Sequence, residues 1–353
     1  MTATDGTAAD GTATDGTATD GTATDGTATD GTATDRTAAD GTAADGTAAD
    51  GTATDGTAAA DARVPEFWRG LGLPGLIDVH VHFLPPRVLA AVWAYFAKAE
   101  EHYGRAWPIA YQGTDEERIA LLRSFGVRAF PALAYPHKPG MAAFLNDWTL
   151  DLADTTPDCV PSATFFPEPE AGDYVRAALD RGARVFKAHV QVGRYDPDDP
   201  LLDPVWGALA EAAVPVVVHC GDGPVPGEHT GIEPIERVLD RHPGLVLVVA
   251  HAGMPDYLGF AALADRHPRV HLDTTMLGTP FTEDLAPMPA ELPARLADLG
   301  DRVVLGTDFP NIPYPYVTQL DALARLDLGA DWLRAVCWSN GIRLLDLDPD
   351  GTG

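Results

Sequence analysis

The chain has 353 residues, with 52 acidic against 24 basic side chains and a formal net charge of −28 at pH 7. So large a surplus of carboxylates argues against a nucleic-acid partner, because phosphate binding needs clustered Lys and Arg. Cys159, Cys220 and Cys337 form no C-x-x-C pair and read as reduced thiols of a cytoplasmic protein, and no apolar run approaches the ~20 residues of a membrane span.

Residues 2–56 are eleven copies of a five-residue unit, TATDG or a close variant, with eleven aspartates and Arg36 as the single base. The unit offers no apolar side chain larger than Ala, so it cannot bury enough surface to offset its ordering entropy. It also lacks the basic and apolar regions of a targeting peptide. Residues 1–61 are therefore expected to be a disordered acidic tail, and residues 62–353 the folded part. Removing the tail is expected to leave stability and turnover unchanged.

Beyond it, short apolar runs alternate with amphipathic stretches. The strand-like runs are 75–83 (GLIDVHVHF), 127–134, 160–167, 183–192 (ARVFKAHVQV), 214–221 (VPVVVHCG), 245–253 (LVLVVAHAG), 269–276 (RVHLDTTM) and 302–310 (RVVLGTDFP). Between them, 115–125, 171–182 and 233–242 have helical spacing. Runs this apolar suit parallel strands covered on both faces. Eight such runs with intervening helices and a helical C-terminus predict a (β/α)8 TIM barrel. A doubly wound sheet is the alternative, but no G-x-G-x-x-G follows the first strand. LDRHPGLVLV and ADRHPRVHLD read as two copies of one helix–turn–strand unit, which assigns His242 and His267 to structure.

The first strand raises a chemical question. Residues i and i+2 share a strand face, so His80 and His82 point together into the barrel, beside Asp78. Two neutral imidazoles placed so are half of a metal site. His219, His251 and Asp308 end three other strands, and barrel active sites sit at the C-terminal ends of strands. Five such residues thus converge on one rim. On strand 4, Lys187 and His189 share the inward face with Val185. A buried lysine must be paired, shifted in pKa or modified, whereas His189 serves either substrate or structure.

With these motifs (H-x-H on strand 1, His on strands 5 and 6, Asp on strand 8, and the flanks LIDVHVHF, VVVHCG, VVAHAG, VLGTDFP and SNGIRLL) the chain resembles the amidohydrolase superfamily of metal-dependent barrels. The flanks resemble its branch containing aminocarboxymuconate-semialdehyde decarboxylase. The likeness covers about residues 74–346. It implies one divalent metal held by His80, His82, His219 and Asp308, with Asp308 and His251 as acid/base groups. It also implies that a strand-4 lysine such as Lys187 either bridges a second metal as a carbamate or binds a substrate carboxylate. A mixed N/O set suits Zn²⁺, with Mn²⁺ or Fe²⁺ as alternatives.

The expected function is hydrolysis of a C–N or C–O bond of a small, acidic or aromatic substrate. The alternatives are a non-oxidative decarboxylase on the same metal and a non-catalytic metal-binding regulator. Loops after the strands are expected to contact substrate through Tyr135, His137 and Lys138, through His229, and through the rings of Tyr314 and Tyr316. The insertion 85–104 is expected to form a lid or a homodimer face. Gly306, two before Asp308, is expected to leave packing room beneath the metal.

Overall fold

The computed structural model describes residues 55–351. The repeats at 2–54 lie outside the described residues. The strands are β1 Leu76–Ile77, β2 Val127–Pro131, β3 Cys159–Val160, β4 Ser162–Thr164, β5 Val185–His189, β6 Val216–His219, β7 Leu247–Val249, β8 Val270–Asp273 and β9 Val303–Val304. All neighbouring pairs are parallel, in the orders β1-β2-β3 and β4-β5-β6-β7-β8-β9. Pro161 separates β3 from β4; it has no N–H to give the ladder, yet its carbonyl still accepts from Arg184 N at 2.8 Å. β3 and β4 therefore make one stave, and the barrel has the eight that the sequence predicts.

The ring closes between its first and last staves. Val79 N donates to Leu305 O (2.9 Å), Asp308 N to His80 O (2.9 Å) and His82 N to Phe309 O (2.7 Å), and Val81 bridges Phe309. Successive strand residues alternate in destination. Val185, Val217, Val248 and Val304 fill the barrel interior with Trp338, Leu345 and Leu347 from the C-terminal segment. Phe186, Val216, Val218 and Leu272 face outward onto the helices. Lys187 and His219 stand two residues beyond Val185 and Val217, on the inward face and toward the C-terminal end.

The helices fall where the spacing places them, at Asp115–Phe125, Ala171–Asp180 and Ile232–Arg241. Thr114 caps the first with a reciprocal Thr114–Glu117 capping box. His242 and His267 each follow a helix, Ile232–Arg241 and Tyr257–Arg266, in the matching position of the repeated unit. The His242 ring bonds Asp203 at 3.0 Å on the exterior. No helix among the described residues is long and apolar enough to cross a membrane.

One boundary needs correction. The expected tail runs to residue 61, but Asp55–Asp61 is a helix and Asp61 is buried. Its carboxylate accepts from Tyr111 Oη and from Val317 N at 3.0 Å, and Tyr111 Oη in turn accepts from Tyr316 N at 2.6 Å. Folded structure is thus present from residue 55. Composition missed this because Asp61 resembles the repeat's aspartates while its partners lie far away along the chain.

Candidate metal centre

His80 and His82 leave β1 at its C-terminal end, buried to 1% and 3% exposure. Each ring is fixed from behind. His80 Nδ1 donates to Asp273 Oδ2 at 2.8 Å, and His82 Nδ1 donates to Leu133 O at 2.7 Å. A carbonyl only accepts, so the Leu133 contact fixes the proton on Nδ1 of His82. On the far side of the two rings from these bonds, the Nε2 atoms face one another at 3.2 Å. Asp308 Oδ1 lies 2.8 Å from His82 Nε2 and 3.6 Å from His80 Nε2. Three potential ligand atoms thus converge. Ligand atoms on a tetrahedral Zn²⁺ with bonds of ~2.0–2.1 Å stand about 3.3–3.4 Å apart. The trio's distances of 2.8, 3.2 and 3.6 Å bracket that spacing, and its donor set of two imidazoles and a carboxylate fits a divalent ion.

The electrostatics agree. Burial, and then Lys187 alongside, hold His80 well below the usual histidine value. Burial pulls the Asp308 carboxyl up, but the His82 hydrogen bond and the three histidines around it outweigh this and leave it well below the usual carboxylate range. Lys187 is fully buried on β5, with Nζ 3.2 Å from His80 Nε2. Burial brings it down to about 8, although Asp273 and Asp308 draw it upward.

Of the four ligands implied by resemblance, the structure brings three into one trio, and His219 is not part of it. His219 Nε2 bonds the Gly223 carbonyl at 2.9 Å, which leaves Nδ1 free of that contact. Its ring stacks on His189 at 4.1 Å and meets His251 edge-on at 4.9 Å. Burial, with His251 and Lys187 nearby, takes it down to about 3. His219 faces the same cavity as the trio, together with Lys187, His189 and His251. None of these side chains faces the outer helices.

His251 and Asp308 share an unusual backbone. Their φ angles are 55° and 70°, in the left-handed region that non-glycine residues rarely adopt. The turn at His251 continues through Ala252 (φ 49°) and Gly253 (φ 79°). It is anchored by His251 N donating to Asp273 Oδ1 at 2.8 Å. The His251 ring is buried, and its Nδ1 has no hydrogen-bond partner among the described residues. Burial lowers its pKa, so the ring is neutral near pH 7.

Two carboxylates to which the sequence assigned no role support these groups. Asp273, at the end of β8, holds the His80 ring, the His251 backbone and Thr275 N at once. Its place at the end of RVHLD was the available signal, the same one that marks Asp308. Asp78 accepts from His80 N at 3.1 Å, Thr307 Oγ1 at 2.5 Å and Tyr316 Oη at 2.9 Å. Burial raises it to about 7. A methyl group on Gly306 would collide with Thr275 Oγ1 and stand 2.8 Å from His80 Cβ, which confirms its packing role.

The centre opens into a cavity of about 990 Å³. Tyr135 and His137 line it as expected, whereas Lys138 and His229 do not. His229 sits instead 4.0 Å from Glu228. Tyr314 and Tyr316 are not substrate-facing rings either. Both are buried, and Tyr316 works beneath the site through Asp78. His189 packs between Tyr135 and His219. The insertion contributes helix Pro86–Phe96, which walls the cavity.

A family model described as Amidohydrolase matches residues 77–347. No curated protein matches the sequence. An uncharacterised TIM-barrel protein from Bordetella bronchiseptica superposes with a TM-score of 0.59 at 21% identity, covering 77% of this chain and 98% of that one. A putative amidohydrolase from Staphylococcus aureus gives 0.54 at 16% identity over 77% and 100%. IDCase of Metarhizium anisopliae in its apo form gives 0.53 at 17% identity over 78% and 98%. At these identities the likeness is one of fold.

Proposed function

The chain belongs to the amidohydrolase family, and from that premise we propose that it is a metal-dependent hydrolase cleaving a C–N or C–O bond beside a carbonyl. The observation that carries the reading is the pair of Nε2 atoms facing at 3.2 Å with Asp308 Oδ1 beside them. His80, His82 and Asp308 would hold the ion, with His219 as the fourth ligand through Nδ1. A bound divalent ion supplies Lewis acidity to the carbonyl and acidifies water.

The chain's own groups do the rest. Asp308, kept ionised by its histidines, takes a proton from the attacking water and returns it to the leaving nitrogen or oxygen. Water oxygen bonds to the carbonyl carbon, the C–N or C–O bond breaks, and the protons balance. His251, neutral and without a partner at Nδ1, offers a hydrogen bond to the developing oxyanion. Lys187 pairs with a carboxylate of the substrate. Decarboxylation is the competing reaction, favoured by that same buried cation, with His251 or Asp308 protonating carbon.

The test uses purified full-length protein stripped with a chelator and reloaded with Zn²⁺, Mn²⁺ or Fe²⁺. It is screened on amides, lactones and aromatic acids, with CO₂ scored separately. Metal-dependent hydrolysis without CO₂ is expected. CO₂ release replaces the reaction, and absence of metal binding overturns the reading.

A further inference from the structure

We propose that the substrate is an amphiphilic anion, with an apolar body filling the cavity above the metal centre and an anionic group held at the mouth by Arg87 and Arg194. That the reacting bond lies at the floor rests on the function proposed above; the affinity for an apolar anion does not.

The cavity's size comes first. At about 990 Å³ it lies at the upper end of the ~300–1,000 Å³ common for small-molecule sites, more than a small polar substrate needs. Its walls are apolar beyond the ligand cluster, with Leu84, Val88, Val92, Phe96, Trp107 and Met254 lining it. The apolar surface also continues outward. Six large hydrophobic residues are exposed among the described residues, and three of them, Tyr95 (48%), Val192 (37%) and Val225 (37%), line this one cavity. Scattered exposed apolar residues mean little, but a collar around a cleft marks a binding mouth.

The charges come second. The protein has more than twice as many acids as bases, so an arginine on its surface readily finds a carboxylate. Every other arginine among the described residues has a side-chain partner: a carboxylate, a carbonyl, a side-chain amide oxygen or a ring. Arg87 and Arg194 have none, and both line this cavity. Both are exposed, whereas His80 and His82 are buried. The free guanidinium groups thus stand at the mouth and the metal ligands at the floor. Besides Asp308, the only acid on the lining among the described residues is Glu228, a solvent-facing lip residue whose side chain is 87% exposed. An arginine fork fits a carboxylate, phosphate or sulfonate. The two poles and the apolar wall between them describe one kind of molecule.

The test titrates full-length protein with two dyes of one skeleton, anionic 1-anilinonaphthalene-8-sulfonate and neutral N-phenyl-1-naphthylamine, followed by fluorescence. The sulfonate is expected to bind about tenfold tighter, an advantage that shrinks with salt. The double variant Arg87→Gln, Arg194→Gln should erase that advantage and leave the neutral dye unchanged. Ala91→Trp, at an exposed position on the lining helix, should weaken both dyes without disturbing the core, which a thermal melt verifies. Equal affinity for the two dyes, an advantage that survives the double substitution, binding indifferent to Ala91→Trp, or no binding of either dye overturns the proposal. Metal content is measured on the same samples. Its absence with the dye pattern intact would defeat the hydrolytic reading alone; a failed dye pattern with metal present would defeat only this one.

Discussion

Replacing Asp61 with alanine should destabilise the barrel, although a repeat-like aspartate near a chain end would be expected to tolerate any change. Asp61 is 4% exposed, and its carboxylate serves two buried donors, the Tyr111 hydroxyl and the Val317 amide. Alanine leaves both without an acceptor, at about 1–3 kcal/mol each. Part of this is offset, because burying the carboxyl is itself unfavourable, as its raised pKa records. A net loss of about 1–4 kcal/mol remains, or roughly 3–12 °C in melting temperature for a domain of this size. Differential scanning calorimetry of the full chain measures it. Asp61→Asn keeps an acceptor and should lose less. Removing residues 2–54 should change nothing, whereas removing 2–61 should reproduce the alanine variant. A melting temperature for Asp61→Ala within about 1 °C of wild type would refute the reasoning.

Asp273→Asn should lower metal affinity about 10–100-fold in calorimetric titration, because His80 loses the anion behind its ring; unchanged affinity would detach Asp273 from the site. His251→Asn should keep the metal but cut turnover by about 10²–10⁴, and full activity would remove His251 from the chemistry. Purified protein should hold one metal equivalent, unaltered by Lys187→Ala; two equivalents, falling to one in the variant, would establish a bridging carbamate. His271 is half-buried, and desolvation, with Arg302 nearby, lowers it to about 4 from 6.5. Between those values the unfolded ring binds a proton that the folded one refuses. Stability present above pH 6.5 is therefore lost as pH falls toward 4, by up to ~3 kcal/mol. His271→Gln should flatten that limb of a pH-dependent denaturation series.

Much of the site could be read from the chain because strand geometry is local. The parity of His80 with His82 and of Lys187 with His189, and the position of His219 after three valines, follow from a two-residue repeat that needs no knowledge of neighbours. What the sequence concealed was partnership across distance. Asp273 looks like any strand-ending acid until the His80 ring is found against it from the far end of the chain. Tyr316, read as a rim aromatic, turns out to donate to Asp78 in the first stave. Arg87 and Arg194 look like ordinary surface arginines, and only the set of pairs made by all the others singles them out. His219 illustrates the remaining limit. Its strand position predicts the cavity it faces, while the Gly223 carbonyl decides where its ring nitrogen points.

The barrel's closing seam has a consequence for how the molecule assembles. Val79 with Leu305, His80 with Asp308 and His82 with Phe309 pair residues more than two hundred positions apart. Joining such distant points has a loop-closure entropy on the order of 5 kcal/mol, which hydrogen bonds between two short strand ends barely offset. The residues that would grip a cation are the ones that straddle this junction. An ion held there would act as a clasp between the first and last staves, coupling occupancy to ring closure. Metal starvation should therefore be felt first as fraying of the seam, with faster amide exchange at Val79, His82 and Asp308, well before staves β5 to β7 begin to open.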